Sequence, residues 1–374
     1  MKRYDYLIVG AGLFGSVFAH MATESGKRCL VIDKRSHLGG NVYCEDWDGI
    51  PVHMYGAHIF HTSNLETWRF VNKFVDFRPY VNSPLANYKG KLYNLPFNMN
   101  TFYQLWGTTT PQDAKKELDR QVLQEKRRLN GRTPLNLEEQ ALSMVGKDIY
   151  EKLIKGYTEK QWGRSCEELP ASIIKRLPVR FTFDNNYFMD TYQGIPAGGY
   201  TPLITALLEG SDTETDADFF VSRSYWESLA DKIVYTGKLD EYYEYSQGIL
   251  NYRTVEFRHK LLNISNYQGN AVVNYTDYEI PYTRVIEHKH FSSPPHKIDT
   301  IPDTVISEEY SCEWKMGMEP FYPINDSINT EIFLKYKRLA KKEHHVVFGG
   351  RLAEYQYYDM APTVERAIQL FSKS

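Results

Sequence analysis

Gly10, Gly12 and Gly15 stand in a G-x-G-x-x-G spacing directly after the apolar run Tyr6-Leu7-Ile8-Val9. Glycines at those three places allow a tight turn, close approach of backbone to a phosphate, and close packing of a following helix on a strand. Eighteen residues after Gly15 comes Asp33, at the end of a second apolar run, Cys29-Leu30-Val31-Ile32. An acid at that strand end can accept a hydrogen bond from a ribose hydroxyl. The chemistry is dinucleotide binding; the competing reading is a merely structural glycine-rich turn.

Two further turns decide which dinucleotide. Arg35-Ser36-His37-Leu38-Gly39-Gly40-Asn41 adds a cation and a glycine pair just beyond Asp33, and Gly349-Gly350-Arg351 precedes a last helix. FAD enzymes of the glutathione-reductase and amine-oxidase type place turns there. A late helix N-terminus can face the N1/O2 edge of an isoalloxazine ring. FAD is therefore expected rather than NAD. The chain has no second glycine fingerprint after a strand and no redox cysteine pair, so an ordinary reductase would lack its hydride-donor site.

Arginines and aromatic hydroxyls form the second chemical set. GYTEKQWGRSCEELPASIIKRLPVRF, residues 156–181, carries Tyr157, Trp162, Arg164, Arg176 and Arg180; Arg253, Arg284, Tyr322 and Tyr357-Tyr358-Asp359 come from distant segments. Guanidinium groups bind phosphate through paired hydrogen bonds, and neutral phenols complete such a shell without adding charge. The competing reading is a solvated surface for each arginine and core packing for each aromatic. His58 and His61 are three apart in YGAHIFHT, but the segment reads as loop or strand and shows no third ligand, so no metal site is expected. Cys29, Cys44, Cys166 and Cys312 lie far apart with neither a zinc spacing nor a disulfide frame, as suits a reducing cytoplasm.

These groups need elements to hold them. The pattern predicts a strand to Val9, a helix over about 13–25 stopped at Gly26, and a strand over 29–32; near the other end it predicts a strand over 345–348 and a helix opened by Pro362. Residues from about 100 to 175 read as helices. Gln112 to Leu129 is strongly polar, Asn136 with Glu139 makes a capping-box-like start, and Leu142, Val145, Ile149, Leu153 and Ile154 share one face. Alternating β-branched and aromatic residues over about 181–192 and 250–291 predict antiparallel strands, and 292–303 a loop. The chain has 374 residues, with 44 Lys+Arg against 47 Asp+Glu, no basic block, and no apolar run long enough to span a bilayer. Nucleic acid and a membrane span are thereby disfavoured. Most of the 29 Tyr and 19 Phe serve core and sheet, leaving a minority for a sugar or nucleotide site.

From about Tyr4 to about Pro362 the sequence resembles the bacterial UDP-galactopyranose mutases, through YGAHIFHT, NSPLA, NLPFNMNTF, GYTEKQWGRS, ELPASIIKRLPVRFTFDNNYF, QGIPAGGYT, YTRVIEHKHF and FGGRLAEYQYYDM. The resemblance implies an FAD enzyme, active when reduced, that interconverts UDP-galactopyranose and UDP-galactofuranose without net redox. In that family the reduced flavin N5 attacks the anomeric carbon and UDP leaves; the product feeds cell-surface polysaccharide. It implies that Arg176, on a mobile loop, and Arg284 neutralise the diphosphate, helped by Tyr187, Tyr322 and Tyr357. Tyr157 and Trp162 would contact the uridine side, and Asn82 and Asn274 would make further substrate contacts. For FAD it implies Phe14, Asp33, Asn41, His58, Phe219, Arg351, Tyr358, Asp359 and Met360, beside the glycines Gly10, Gly12, Gly15 and Gly40. Some members carry an aromatic residue where Leu153 stands, so stacking on that side of the uracil differs here.

The expected fold class is α/β: a Rossmann-like FAD-binding domain with an inserted helical bundle and an antiparallel β-sheet domain. The first would comprise 1–80, 197–246 and 326–374, the bundle 100–179, and the sheet 81–99, 180–196 and 247–325. UDP-galactose is the expected partner, a homodimer is compatible with the sequence, and the expected compartment is the cytoplasm. Two other readings are a flavin amine-oxidase-like oxidoreductase, which would need an amine cavity, and a non-catalytic FAD-binding protein, which would not need Trp162, Arg176 and Arg284 together.

Overall fold

A computed structural model of the chain describes residues 3–174, 177–292, 298 and 300–374. The chain divides into two compact units. The first comprises Met1–Tyr80, Asp190–Thr254 and Trp314–Ser374, the second Val81–Met189 and Val255–Glu313. The expected bundle and sheet thus share one unit. The reason is a common core, in which Ala86 and Tyr93 from the strands, with Leu95 just after the second, join Phe102, Leu118, Val145 and Ile149 from the helices.

In the first unit five strands, β1 (Tyr4–Val9), β2 (Cys29–Ile32), β3 (Asp212–Glu214), β4 (Ala230–Tyr235) and β5 (Val346–Phe348), form a sheet in the order 3-2-1-4-5. Every pairing in it is parallel. That order leaves the C-terminal ends of β1 and β4 beside one another, where ligands of doubly wound sheets bind. β2 is buried along its whole length, which is why its sequence is an unbroken apolar run. The helix Leu13–Glu24 follows β1, Gly26 turns left-handed just past its end, and the last helix runs Met360–Phe371 with Pro362 in its first turn. A smaller antiparallel sheet joins Phe60–Thr62, Tyr192–Pro196 and Phe77–Pro79. Residues 192–196, expected in the sheet domain, therefore belong here.

The second unit has helices Met99–Trp106, Pro111–Leu129 and Leu137–Ile149, a π-helical turn Tyr150–Lys155, and the helix Gly156–Trp162. Of the predicted face, Val145, Ile149, Leu153 and Ile154 are buried together and Leu142 is partly buried against them. Asn136 caps Leu137–Ile149 through the Glu139 N–H. The Glu139 carboxylate does not close the box; it accepts from Arg128, Arg132 and the Leu135 N–H. The strands of this unit run in the spatial order Tyr252–Leu262, Thr304–Glu313, Arg284–Glu287, Val272–Tyr275, Leu85–Tyr88, Lys91–Asn94. One pair departs from the antiparallel expectation: Val272–Tyr275 runs parallel to Leu85–Tyr88.

Residues 181–191, read as strand, form none. Asn98 donates to the Asp184 carbonyl at 2.7 Å and, with Asn100, to Asn185 Oδ1. Arg180 donates to the carbonyls of Asn186 and Tyr187. Side chains here meet the demands that a neighbouring strand would otherwise satisfy. Of the loop expected over 292–303, residues 293–297 and 299 lie outside the described residues.

Candidate functional site

In the first unit the glycine turn has the shape its spacing predicts. Gly10 has φ +106°, and a Cβ there would lie 2.0 Å from Thr236 Oγ1 at the end of β4. A Cβ on Gly40 would lie 2.9 Å from the Gly12 Cα, so the two glycine turns touch backbone to backbone. The Gly39 N–H donates to the Ala11 carbonyl at 2.9 Å. No side chain caps the start of the helix Leu13–Glu24, leaving its first N–H groups for an anionic group.

Asp33 is buried and accepts from the Ala11 N–H at 2.8 Å and the Arg35 N–H at 3.0 Å. It therefore fixes the turn to β2, and its remaining lone pairs can still accept from a ribose. Arg35 donates to Asn41 Oδ1 and to Glu319, both at 3.0 Å, while its Nη1 is buried without a hydrogen-bond partner. An orphaned guanidinium nitrogen beside two glycine turns fits an anion.

Phe14 is buried, and its ring fills the space a Cβ on Gly349 would need, 2.2 Å from its Cζ. It locks the late glycine turn onto the first helix. Phe219 is also a core residue, packed with Leu30, Ile32 and Tyr235. Its segment docks on the acid, with the Ala217 N–H donating to the Asp33 carbonyl at 2.9 Å. His58 donates its backbone N–H to His53 Nδ1 at 3.2 Å, and its own Nδ1 sits 2.7 Å from the Gly56 carbonyl. Burial, with the neighbouring His58, drives His53 down to about 3, so it is neutral. His61 Nδ1 lies 2.7 Å from an Asp190 carboxylate oxygen.

The structure brings Arg351, Tyr322 and Tyr357 together. The Arg351 guanidinium lies 4.8 Å from the Tyr357 ring centre and 5.8 Å from that of Tyr322, and the two rings are 5.8 Å apart. Arg351 donates to the Phe321 carbonyl at 2.5 Å, and its Nε is buried without a partner. Arg253 is Tyr322's register partner. Tyr358 and Asp359 lead into the helix that begins at Met360, whose first N–H groups take no side-chain cap from Asp359.

The remaining residues lie in the second unit. Arg284 and Asn274 are directly paired across adjacent strands. Arg284 is not a solvated arginine: its Nε donates to Glu309 at 2.6 Å, and Glu309 is its register partner on the other side, 5% exposed. Bonding Nε to a carboxylate fixes the orientation of the guanidinium plane. Asn82 and Asn274 each keep a buried Oδ1 without a hydrogen-bond partner, a deficit of about 1–3 kcal/mol apiece that a ligand donor would remove. The Asn82 carbonyl accepts from the Tyr187 N–H at 2.7 Å, which places Tyr187, 43% exposed, beside it. Tyr157 and Trp162 stand on the short helix after the π-helical turn, an irregularity frequent at functional sites. Trp162 packs on the core that also buries Leu153. Arg176 lies outside the described residues.

The family model for UDP-galactopyranose mutase matches residues 152–357, the span that holds Tyr157, Trp162, Asn274, Arg284, Tyr322 and Tyr357. The chain belongs to the UDP-galactopyranose mutase family. An NAD(P)-binding Rossmann-like domain model matches residues 8–74, the first βαβ unit and the turns after it. Among curated relatives of the chain, an Escherichia coli dTDP-fucopyranose mutase is 40% identical, over 97% of this chain and 96% of its own. A Klebsiella pneumoniae protein described as a probable UDP-galactopyranose mutase is also 40% identical, over 99% and 94%. A solved structure of reduced UDP-galactopyranose mutase aligns with TM-score 0.75 at 15% identity, covering 100% of this chain and 94% of that one.

Sequence reasoning missed Thr236, Glu319 and Glu309. Thr236 had a signal, the apolar run Ile233-Val234-Tyr235 ending in Thr-Gly. Glu309 and Glu319 had none, because strand pairing and loop packing bring them to their arginines.

Proposed function

We propose that the protein is an FAD-dependent mutase that interconverts UDP-galactopyranose and UDP-galactofuranose. The observation that carries this reading is Arg284, oriented by a buried carboxylate within the span the family model matches. FAD fits the first unit through the Gly10–Gly40 cradle, the orphaned Arg35 nitrogen and two uncapped helix starts. Bound in reduced form, it supplies a nucleophilic N5 for the anomeric carbon. Asp33 and Asn41 would hold its nucleotide end, and Arg351, His58 and the start of the last helix would hold its other end.

The chain's own residues manage charge and position. Negative charge grows on the departing diphosphate, and Arg284 and Arg176 stabilise it. Tyr187, Tyr322 and Tyr357 donate to phosphate oxygens without adding charge. Tyr157 and Trp162 receive the base and ribose, and Asn82 and Asn274 accept from substrate hydroxyls. An amine-oxidase-like reading gives Arg284 no task, and a non-catalytic one leaves the polar atoms of Asn82 and Asn274 unexplained. The free thiols agree with a cytoplasmic enzyme; among the described residues no helix is long and apolar enough to cross a membrane.

A second reading keeps the reaction and changes the substrate. A relative of equal identity carries the name dTDP-fucopyranose mutase, and ring contraction does not use the 6-hydroxyl that a 6-deoxy sugar lacks. Reduced protein supplied in parallel with UDP-galactose and dTDP-fucose, with nucleotide furanoses separated by chromatography, tests both. Preference for UDP-galactose supports the first reading, preference for dTDP-fucose the second, and turnover of neither refutes both.

A further inference from the structure

Lys160 lies on the helix Gly156–Trp162, between Tyr157 and Trp162. Its Nζ donates to three backbone carbonyls, those of Tyr275 at 2.7 Å, Ile280 at 2.9 Å and Tyr282 at 2.9 Å. All three lie in or beside the connection between Val272–Tyr275 and Arg284–Glu287, the strands that carry Asn274 and Arg284. An ammonium has three donors and no acceptor, and here every donor has a carbonyl.

The surroundings make this a tether rather than a solvated lysine. A Cβ on Gly156 would lie 2.4 Å from the Thr276 carbonyl oxygen, so the helix backbone rests against the connection. Thr276 Oγ1 donates to the Lys152 carbonyl just before the helix, and Ser311 Oγ to the Gln161 carbonyl near its end, both at 2.6 Å. Lys160 lies between these anchors. It joins the helix to the connection that leads into the strand of Arg284.

We propose that Lys160 is a positioning residue for nucleotide-sugar recognition, its ammonium holding the helix of Tyr157 and Trp162 in register with the strands of Asn274 and Arg284. The proposal rests on the mutase reading above and assigns no substrate contact to Lys160. Its charge state follows from the same burial. Desolvation pulls the ammonium down to about 8, with the Asp277 carboxylate acting in the opposite sense. Other titratable groups on the packed elements include Tyr275, Tyr278, Glu279 and Tyr282 in and beside the connection, Lys152 and Lys155 in the preceding turn, and Glu309 and Tyr310 on the neighbouring strand; on its own helix stand Tyr157 and Glu159, whose carboxylate accepts from the Cys166 N–H.

Above that pH a neutral amine has two N–H donors for three carbonyls, and one link is lost. The sign differs for global stability. The folded value lies below that of an exposed lysine, so the cost of burying the charge is present below about pH 8 and fades as pH rises. Substrate affinity should therefore weaken while this group gives the fold no reason to melt.

The test measures UDP and dTDP binding to the flavin-loaded protein by tryptophan fluorescence, with KM and kcat for the better sugar nucleotide, in wild type, Lys160→Met and Lys160→Arg. Lys160→Met should raise Kd and KM about 10-fold and leave kcat within about 2-fold, with Lys160→Arg intermediate because its fork can reach some of the carbonyls. Wild-type Kd should rise several-fold between about pH 7 and about pH 9.5, a step absent from Lys160→Met. Wild-type affinity in Lys160→Met, or persistence of the step, overturns the proposal. If that variant does not fold, a flat wild-type Kd across the same range overturns it alone. Failure of wild-type protein to bind either nucleotide at any pH refutes the mutase reading, and this extension with it.

Discussion

Replacing Gly15 by alanine separates the packing demand of the glycine turn from its conformational demand. Gly15 lies in the first turn of the helix Leu13–Glu24 without a positive φ, so alanine meets no backbone strain. Its Cβ would nevertheless sit 2.0 Å from the Gly10 carbonyl oxygen and 3.2 Å from Ile8 Cγ2, where 3.4–4 Å is ordinary contact. The helix start or the turn must therefore move by about 1 Å or more. Overpacking of this kind costs about 1–3 kcal/mol, and in a domain of this size each kcal/mol lowers Tm by about 2–4 °C. A loss of about 2–12 °C follows. FAD should bind at least 10-fold more weakly, because the displaced backbone is the part that approaches the pyrophosphate. Gly26→Ala is the converse control: φ is +76° and nothing lies within 4 Å of its Cβ. It should cost only the left-handed strain, about 1–2 kcal/mol, and leave flavin binding unchanged. Flavin absorbance per protein after purification and a thermal melt measure both. Wild-type flavin content and Tm in Gly15→Ala would refute the packing argument.

Other expectations follow from the ion pairs and thiols. Arg284→Ala should lower kcat by about 10²-fold or more, whereas Glu309→Gln, which keeps the shape and removes the charge that orients Arg284, should lower it less; equal kcat in wild type and Arg284→Ala would return that residue to a surface role. The guanidinium of Arg132, with the Leu135 N–H, holds Glu139 down to about 2. A depressed carboxylate stabilises the fold above its unfolded value near 4.5 and loses that contribution as pH falls toward 2. Glu139→Gln should therefore destabilise by about 2 kcal/mol near pH 7 and progressively less in acid, as denaturant melts at several pH values would measure. Burial raises the thiols of Cys29, Cys44 and Cys166 to about 11. Folded protein near pH 8 should thus react first at Cys312, the half-buried cysteine, and mass mapping of an alkylated peptide would check it.

The parts legible in the sequence are those whose cause is local. The glycine spacing, the buried β2 run and the shared face of Val145, Ile149, Leu153 and Ile154 each reflect constraints within a few residues, and each is found where its pattern places it. The segment after Phe181 misled because alternation describes side chains, not backbone partners. Its carbonyls at Asp184, Asn186 and Tyr187 accept from the Asn98 and Arg180 side chains, its Tyr187 N–H donates to the Asn82 carbonyl, and among the described residues it pairs with no strand. Arg284 was legible as an anion ligand, but its orientation was not. Glu309 stands 25 residues away and meets it only through strand register. Lys160 was wholly silent, since its three acceptors are backbone carbonyls 115 to 122 residues further along the chain.

The most direct test of the central claim is to incubate anaerobic, flavin-loaded protein with UDP-galactose, once with the flavin oxidised and once after chemical reduction, and to separate the sugar nucleotides by chromatography. The account predicts that UDP-galactofuranose appears only with reduced protein and that the flavin is still reduced when the mixture reaches equilibrium. Furanose formed equally by oxidised protein, or reduced flavin consumed in proportion to product, would contradict it.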